Sequence, residues 1–322
     1  MQRVPIESGI TAAARQPRGN EAAGGWRSRA SLRLEAPQHP GETGRHQAAA
    51  QAPLKWLRAY PQADGRLEIP LLHTAGGLVG GDGLQLELRG ESGSRGLLTS
   101  VAAQKVYGSL GRFRSGEGQP RWARQDLQVS LAKGADLEWL PQEVVLYADA
   151  LFEQTTRVEL AAGASFLGAE VVRLGRSAAG ETLAGGCWRS ALEIRRNTPA
   201  GGRWELVDRL ELGGEALEGE HGLGGAPVFG SLVWAAPEPL EAGRLAALLS
   251  AGRAARRGLE GTMACGALEQ GLIARYRGGS SQAARFWFTR LWALIRRERG
   301  LADPRLPRVW PFQEDPLAGL AA

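Results

Sequence analysis

The chain of 322 residues has very little lysine, cysteine, histidine or methionine. Lysine occurs only at Lys55, Lys105 and Lys133, cysteine only at Cys187 and Cys265, and histidine only at His39, His46, His73 and His221. Two distant cysteines with no CxxC provide neither a zinc finger nor a disulfide framework, and they fit a reducing, cytoplasmic setting. No run of about 18 apolar residues occurs, so no helical membrane span is expected. Residues 1–25 lack the apolar core of a secretory signal and are read as a disordered leader. No Gly-rich loop runs into GK[ST], which excludes a phosphate-binding loop of that type.

What is present points to a sheet protein. Apolar residues reach 43%, which argues against wholesale disorder. The 45 glycines separate many short apolar runs. Ser31–Glu35, Leu84–Leu88 and Leu127–Leu131 alternate apolar and polar residues, as do the shorter runs at Leu67–Ile69, Val158–Leu160, Leu192–Ile194 and Trp204–Leu206. Turn signals lie between them at Asp64-Gly65, Lys133-Gly134, Ala162-Gly163 and Gly213-Gly214. The connections lack helical length, which excludes a doubly wound α/β fold and predicts a mostly antiparallel or coiled β architecture. The β-rich body is assigned to 26–236.

Residues 237–310 change character and are assigned as a helical C-terminal part packed on the same domain, followed by a tail at 311–322. Pro239–Ala255 places Leu245, Leu248 and Leu249 on one helical face. Ser280–Arg299 places Phe288, Leu291, Trp292 and Ile295 on one stripe, with Ser281 as N-cap and Gly300 after the last turn. The net charge is +5, yet Arg244 to Arg308 holds 13 Arg and 4 acidic residues, an excess of +9 against about −4 elsewhere. Such a face binds an acidic partner, binds nucleic acid or is simply solvated; no RNA-binding or zinc-finger pattern supports nucleic acid. Arg296, Arg297, Arg299 and Trp310 are the candidate partner-binding residues.

Four motifs remain. His73 and Asp82 bracket a Gly-rich segment in which paired glycines allow close backbone crossing. Leu137–Glu143 reads LEWLPQE, two strand pieces joined at Pro141, with Glu143 beside an apolar run. Arg176 and Glu181 flank a turn and are placed to pair across it. Pro307–Trp310 is an extended aromatic tail. An isolated reading of Asp82 and Glu143 as paired carboxylates gives a secreted-type β-helix polysaccharide hydrolase.

Taken in order, these segments resemble the UreD (UreH) family of urease accessory proteins. The His73–Asp82 run matches its His and doubled-Gly, Gly-Gly-Asp pattern. LEWLPQE resembles its strand–Pro–Gln–Glu motif, and GRxxxGE at Gly175–Glu181 and PRxW at Pro307–Trp310 complete the set. Where members often carry a further His shortly before the first motif, this chain has Glu68 and Ile69. The resemblance implies a mainly β fold of β-helix-like coiled sheets with a small α-helical part. It implies a non-enzymatic protein that binds UreF, and through it the GTPase UreG, as a dimer of heteromers. The assembly docks on the urease structural subunits and passes nickel to them, with no tightly bound cofactor. Four His and two Cys without ligand spacing suit transit better than storage, so His73, Asp82, Glu143, Asp149 and Glu181 are the candidate weak nickel-transit residues.

Overall fold

A computed structural model describes residues 25–39, 42–109, 120–198, 201–318 and 320. Apart from Gly25, the expected leader lies outside the described residues.

The strands form two mixed sheets and are numbered in chain order. The first holds β1 (Arg27–Glu35), β2 (Arg45–Ala50), β6 (Gly83–Gly90), β9 (Ala123–Leu131), β12 (Leu151–Leu160), β14 (Cys187–Thr198) and β15 (Gly201–Gly213). Their order is β15-β14-β12-β9-β6-β1-β2. The second holds β3 (Leu54–Trp56), β4 (Tyr60–Pro61), β5 (Leu67–His73), β7 (Arg95–Ser100), β8 (Gln104–Val106), β10 (Asp136–Trp139), β11 (Val144–Leu146), β13 (Ser165–Leu174), β16 (Val228–Ala235), β17 (Thr262–Leu268) and β18 (Gly271–Gly278). Its main path is β17-β18-β16-β13-β10-β7-β5-β3.

The chain passes from one sheet to the other and back. β6 leads to β7, β9 to β10 and β12 to β13, and each circuit advances one parallel strand along both sheets. This is the coiled, β-helix-like architecture. The alternating runs face one side of each sheet inward: Ala30, Leu32 and Leu34 of β1, Leu84, Leu86 and Leu88 of β6, and Leu127, Val129 and Leu131 of β9 are all buried. Pro141 breaks the ladder between β10 and β11, as expected for two strand pieces at a bend.

The C-terminal part contains more sheet than its Ala- and Arg-rich composition predicts. Between α2 (Ala242–Ala254) and α3 (Ser281–Glu298) lies the hairpin β17–β18, which extends the second sheet. A third helix, α1 (Glu215–Glu218), is one short turn after β15. The N-cap of α3 is Ser280 and not Ser281: its hydroxyl accepts the Ala283 N–H. The predicted stripe of Phe288, Leu291, Trp292 and Ile295 is buried, but so are Arg285 and Arg296 along its edge and Arg290 on the opposite face. The helix is sunk into the fold nearly all round.

Part of the charge asymmetry is matched within the chain. Carboxylates of the body reach arginines of the C-terminal part. Arg296 pairs with Asp64 at 2.8 Å and Glu138 at 3.1 Å, Arg299 with Asp136 at 2.7 Å, Arg285 with Glu143 at 3.3 Å, and Arg275 with Asp208. Arg66, fully buried, completes the cluster with Asp136 at 2.8 Å, Asp64 at 3.3 Å and Glu138 at 3.4 Å. Burial alone would raise the Asp136 carboxyl, but Arg66 and Arg299 overcome it and hold it well below the usual carboxylate range. Asp64 is lowered in the same way by Arg66 and Arg296.

Breaking this cluster leaves buried charge without a partner. Arg66→Ala is expected to cost about 3–5 kcal/mol, read as a fall in the urea midpoint at constant m-value. Because the Asp136 and Asp64 carboxyls are depressed, their stabilisation is present above the ordinary carboxylate pKa and is lost as pH falls below it. Acid unfolding should therefore set in at higher pH in Arg299→Met than in the parent, as followed by circular dichroism.

Candidate functional site

Between the two sheets lies a cavity of about 250 Å³. Much of its wall is apolar, including Leu86, Trp139, Phe166 and Val233. Set into that wall are polar groups: Gln125, Gln154 and Thr156 from the first sheet, and Ser100, Gln104, Gln142, Glu170 and Ser231 from the second sheet and its loops. Strand alternation puts them there. On β12 the inward series is Phe152, Gln154, Thr156, Val158 and Leu160; on β13 it includes Phe166, Gly168, Glu170 and Val172. Register then joins them, since Gln154 pairs with Gln125 and Glu170 with Ser231.

His73, Gly76, Gly77 and Lys105 line the cavity at one end. Gly77 has φ +154°, and a Cβ there would press on Tyr107 and the Lys105 backbone, so a side chain is excluded. The His73 Nδ1 meets Gln104 Oε1 at 2.9 Å, while the amide nitrogen of Gln104 donates to the Lys105 carbonyl. With Gln104 oriented in that way, Nδ1 carries the proton and Nε2 keeps its lone pair. Burial lowers the His73 pKa, against weaker opposing contributions from Gln104 and Asp82. The ring is therefore a neutral imidazole, the form that ligates metals. Its buried Nε2 has no hydrogen-bond partner among the described residues.

Glu170 is the unusual carboxyl of the cavity. Gln154 donates to it at 2.9 Å. Glu170 is largely withdrawn from water where it lines the cavity. That desolvation pushes its pKa up to about 7, with Arg275 pulling down and Asp208 adding to the rise.

Of the five residues expected along a metal path, only His73 lines the cavity. Asp82 is buried as a loop clamp, accepting from Val79 N–H at 2.8 Å and Trp26 N–H at 3.3 Å. Its carboxylate is near enough to His73 to act on it electrostatically. Glu143 faces Arg285, so the carboxylate pair required by the hydrolase reading is separately engaged. Asp149 takes a strained positive φ of 62°, and its carbonyl accepts from Ser109 N–H. Glu181 pairs with Arg176 across the turn, as expected, and Arg176 lies over the Tyr147 ring at 4.5 Å.

The expected partner-binding residues are largely used within the chain. Arg296 and Arg299 belong to the buried ion cluster, and Arg297 pairs with Asp303 at 2.7 Å. Trp310 folds back, donating to Thr99 Oγ1 at 2.8 Å beside Trp292 and Phe312. The reason is reach: an Arg or Trp near body carboxylates and hydroxyls is satisfied sooner by its own fold than by a partner. Gln125, Gln154 and Glu170 were passed over because they lie in no motif. Their signal was a polar residue at an inward position of an alternating run. No cluster of three or more His, Cys, Asp or Glu able to hold a metal occurs among the described residues.

The raised Glu170 pKa sets a pH window. A Glu that stays protonated up to about pH 7 in the fold, but only up to the ordinary 4.5 in the unfolded chain, adds stability at low pH that is lost as pH rises between those values. Glu170→Gln removes that loss. It should match the parent at pH 4 and exceed it at pH 8 by at most about 3 kcal/mol, seen as a higher thermal midpoint.

Comparison with known proteins identifies relatives of the chain. A family model described as UreD urease accessory protein matches residues 28–311. A curated protein named urease accessory protein UreD from Synechococcus sp. (strain CC9605) is 60% identical over 91% of this chain and 93% of its own length. Its counterpart from Parasynechococcus marenigrum (strain WH8102) is 59% identical with the same coverage. One from Prochlorococcus marinus (strain MIT 9303) is 55% identical over 90% of this chain and 98% of its own length. No helix of the described residues is long and apolar enough to cross a membrane. On its sequence and over nearly its whole length, the chain belongs to the UreD family of urease accessory proteins.

Proposed function

We propose that this chain is a non-catalytic, cytoplasmic scaffold of urease maturation. It binds UreF and, through it, the GTPase UreG, and it docks on the urease structural subunits. Nickel is its cargo and crosses between the sheets. Family membership supports the first part, and the polar cavity carries the second.

The cavity chemistry suits an ion in passage. A neutral imidazole at the His73 end offers one nitrogen lone pair, and Gln and Ser oxygens along the wall offer weak neutral donors. Glu170 supplies a carboxyl whose proton is readily displaced near pH 7 by an arriving cation. Donors of this kind, spaced along a wall and not gathered into a cage, hold a divalent ion loosely enough to release it.

The test is co-expression with UreF, UreG and the urease subunits. A complex containing this chain should purify, and urease should stay largely inactive when the chain is omitted. Gln154→Leu combined with Glu170→Leu should still assemble yet lose most of the activation. Full activation in the omission strain would defeat the scaffold role. Full activation by the assembled double variant would defeat the path.

A further inference from the structure

The cavity does not end at an apolar seal on the side away from His73. Its walls reach Leu192 on β14 and Ser231 on β16. The first sheet continues beyond β14 to β15, and the second beyond β16 to β18 and then β17. Asp208 of β15 is the register partner of Leu192, and Arg275 of β18 is the register partner of Ser231. Arg275 spans the gap between the sheets at this level, donating through Nη1 to Ser231 Oγ and through Nη2 to Asp208 Oδ2.

The residues around this pair are of the other kind. Along β15, Leu206 and Leu210 flank Asp208 and pack against the core. At that one level the apolar closure is replaced by an ion pair whose side chains are 29% and 20% accessible. Inside it, Ser231, Glu170 and Gln154 continue the polar series into the cavity, and Gln154 Oε1 has no partner among the described residues. The pair is partly exposed, so water reaches it from outside and competes with Ser231 and Asp208 for the guanidinium.

We propose that the Arg275–Asp208 ion pair is the closed gate of a second mouth, opposite the His73 end, through which a hydrated divalent cation passes. When Arg275 swings outward, Asp208 and Glu170 are left as successive oxygen donors lining the opening. The cavity then has an entrance and an exit, and the exit stays shut until the guanidinium is drawn off. The cargo is taken from the proposed function; the second mouth itself stands on the geometry.

Thiol labelling tests it. Thr156→Cys places a reporter in the cavity wall, Cys187→Ser removes the more exposed native thiol, and buried Cys265 reports unfolding. Ala103→Trp narrows the His73 end. The probe is a methanethiosulfonate ethylammonium reagent, a small cation. In this background Arg275→Ala and the near-isosteric Asp208→Asn should each speed labelling of Cys at 156 severalfold, with Cys265 still protected. Arg275→Lys should stay slow. If Arg275→Ala exposes Cys265 as well, the Asp208→Asn rate decides. Parental rates in the folded variants would overturn the gate. The labelling needs neither nickel nor urease, so its failure would leave the proposed function standing, and failure of urease activation would leave the gate standing.

Discussion

Six charged groups between α3 and the second sheet, four of them buried, hold the molecule in its arrangement. Arg66, Arg296 and Arg299 face Asp64, Asp136 and Glu138; Arg66 and Arg296 are each shared between carboxylates and a carbonyl, and Arg299 grips both oxygens of Asp136. Desolvating such charges is costly, and mutual attraction offsets that cost only when the geometry is complete. The cluster therefore tolerates little displacement of α3 relative to β7 and β10. Where α3 is fixed, so are the outer cover of the second sheet and the tail that Trp310 anchors. The same complementarity matches part of the charge imbalance along the chain: the basic C-terminal part finds acidic partners in the body of the same molecule.

The interior shows the opposite allocation. Coiled sheets stack like positions of successive strands into rows, so a polar residue at one inward site meets polar residues on its neighbours. Gln125 beside Gln154, and Glu170 beside Ser231, are such rows. They cross a wall otherwise built of Leu, Val, Phe and Trp, where apolar side chains would pack more favourably. A fold selected for stability alone would fill this space. Keeping it open and polar, with Glu170 near its protonation midpoint at neutral pH, is intelligible as provision for a charged traveller.

Much of the architecture was legible from pattern. Alternation at Leu84–Leu88 and Leu127–Leu131 marked β6 and β9, Pro141 marked the break between β10 and β11, and the stripe from Phe288 to Ile295 marked α3. The hairpin β17–β18 was not, because its Met, Ala, Cys and Gly alternate too weakly to stand out between two helices. Asp82 and Glu143 drew notice by sitting in motifs, yet the motifs serve loop clamping and helix anchoring. Glu170 drew none, since a single Glu on a strand reads as a solvent position until the facing sheet is known.

By itself the sequence determined the period-two strands, the helical stripes, the turn glycines and the family resemblance, all of which depend on residues near one another along the chain. Only the tertiary structure decided which carboxylates meet which arginines, and which inward polar residues share a cavity. Those pairings join positions as distant as Asp64 and Arg296, or Asp208 and Arg275. Local pattern carries no record of such distances, because strand order and sheet facing are set by burial of the whole chain at once.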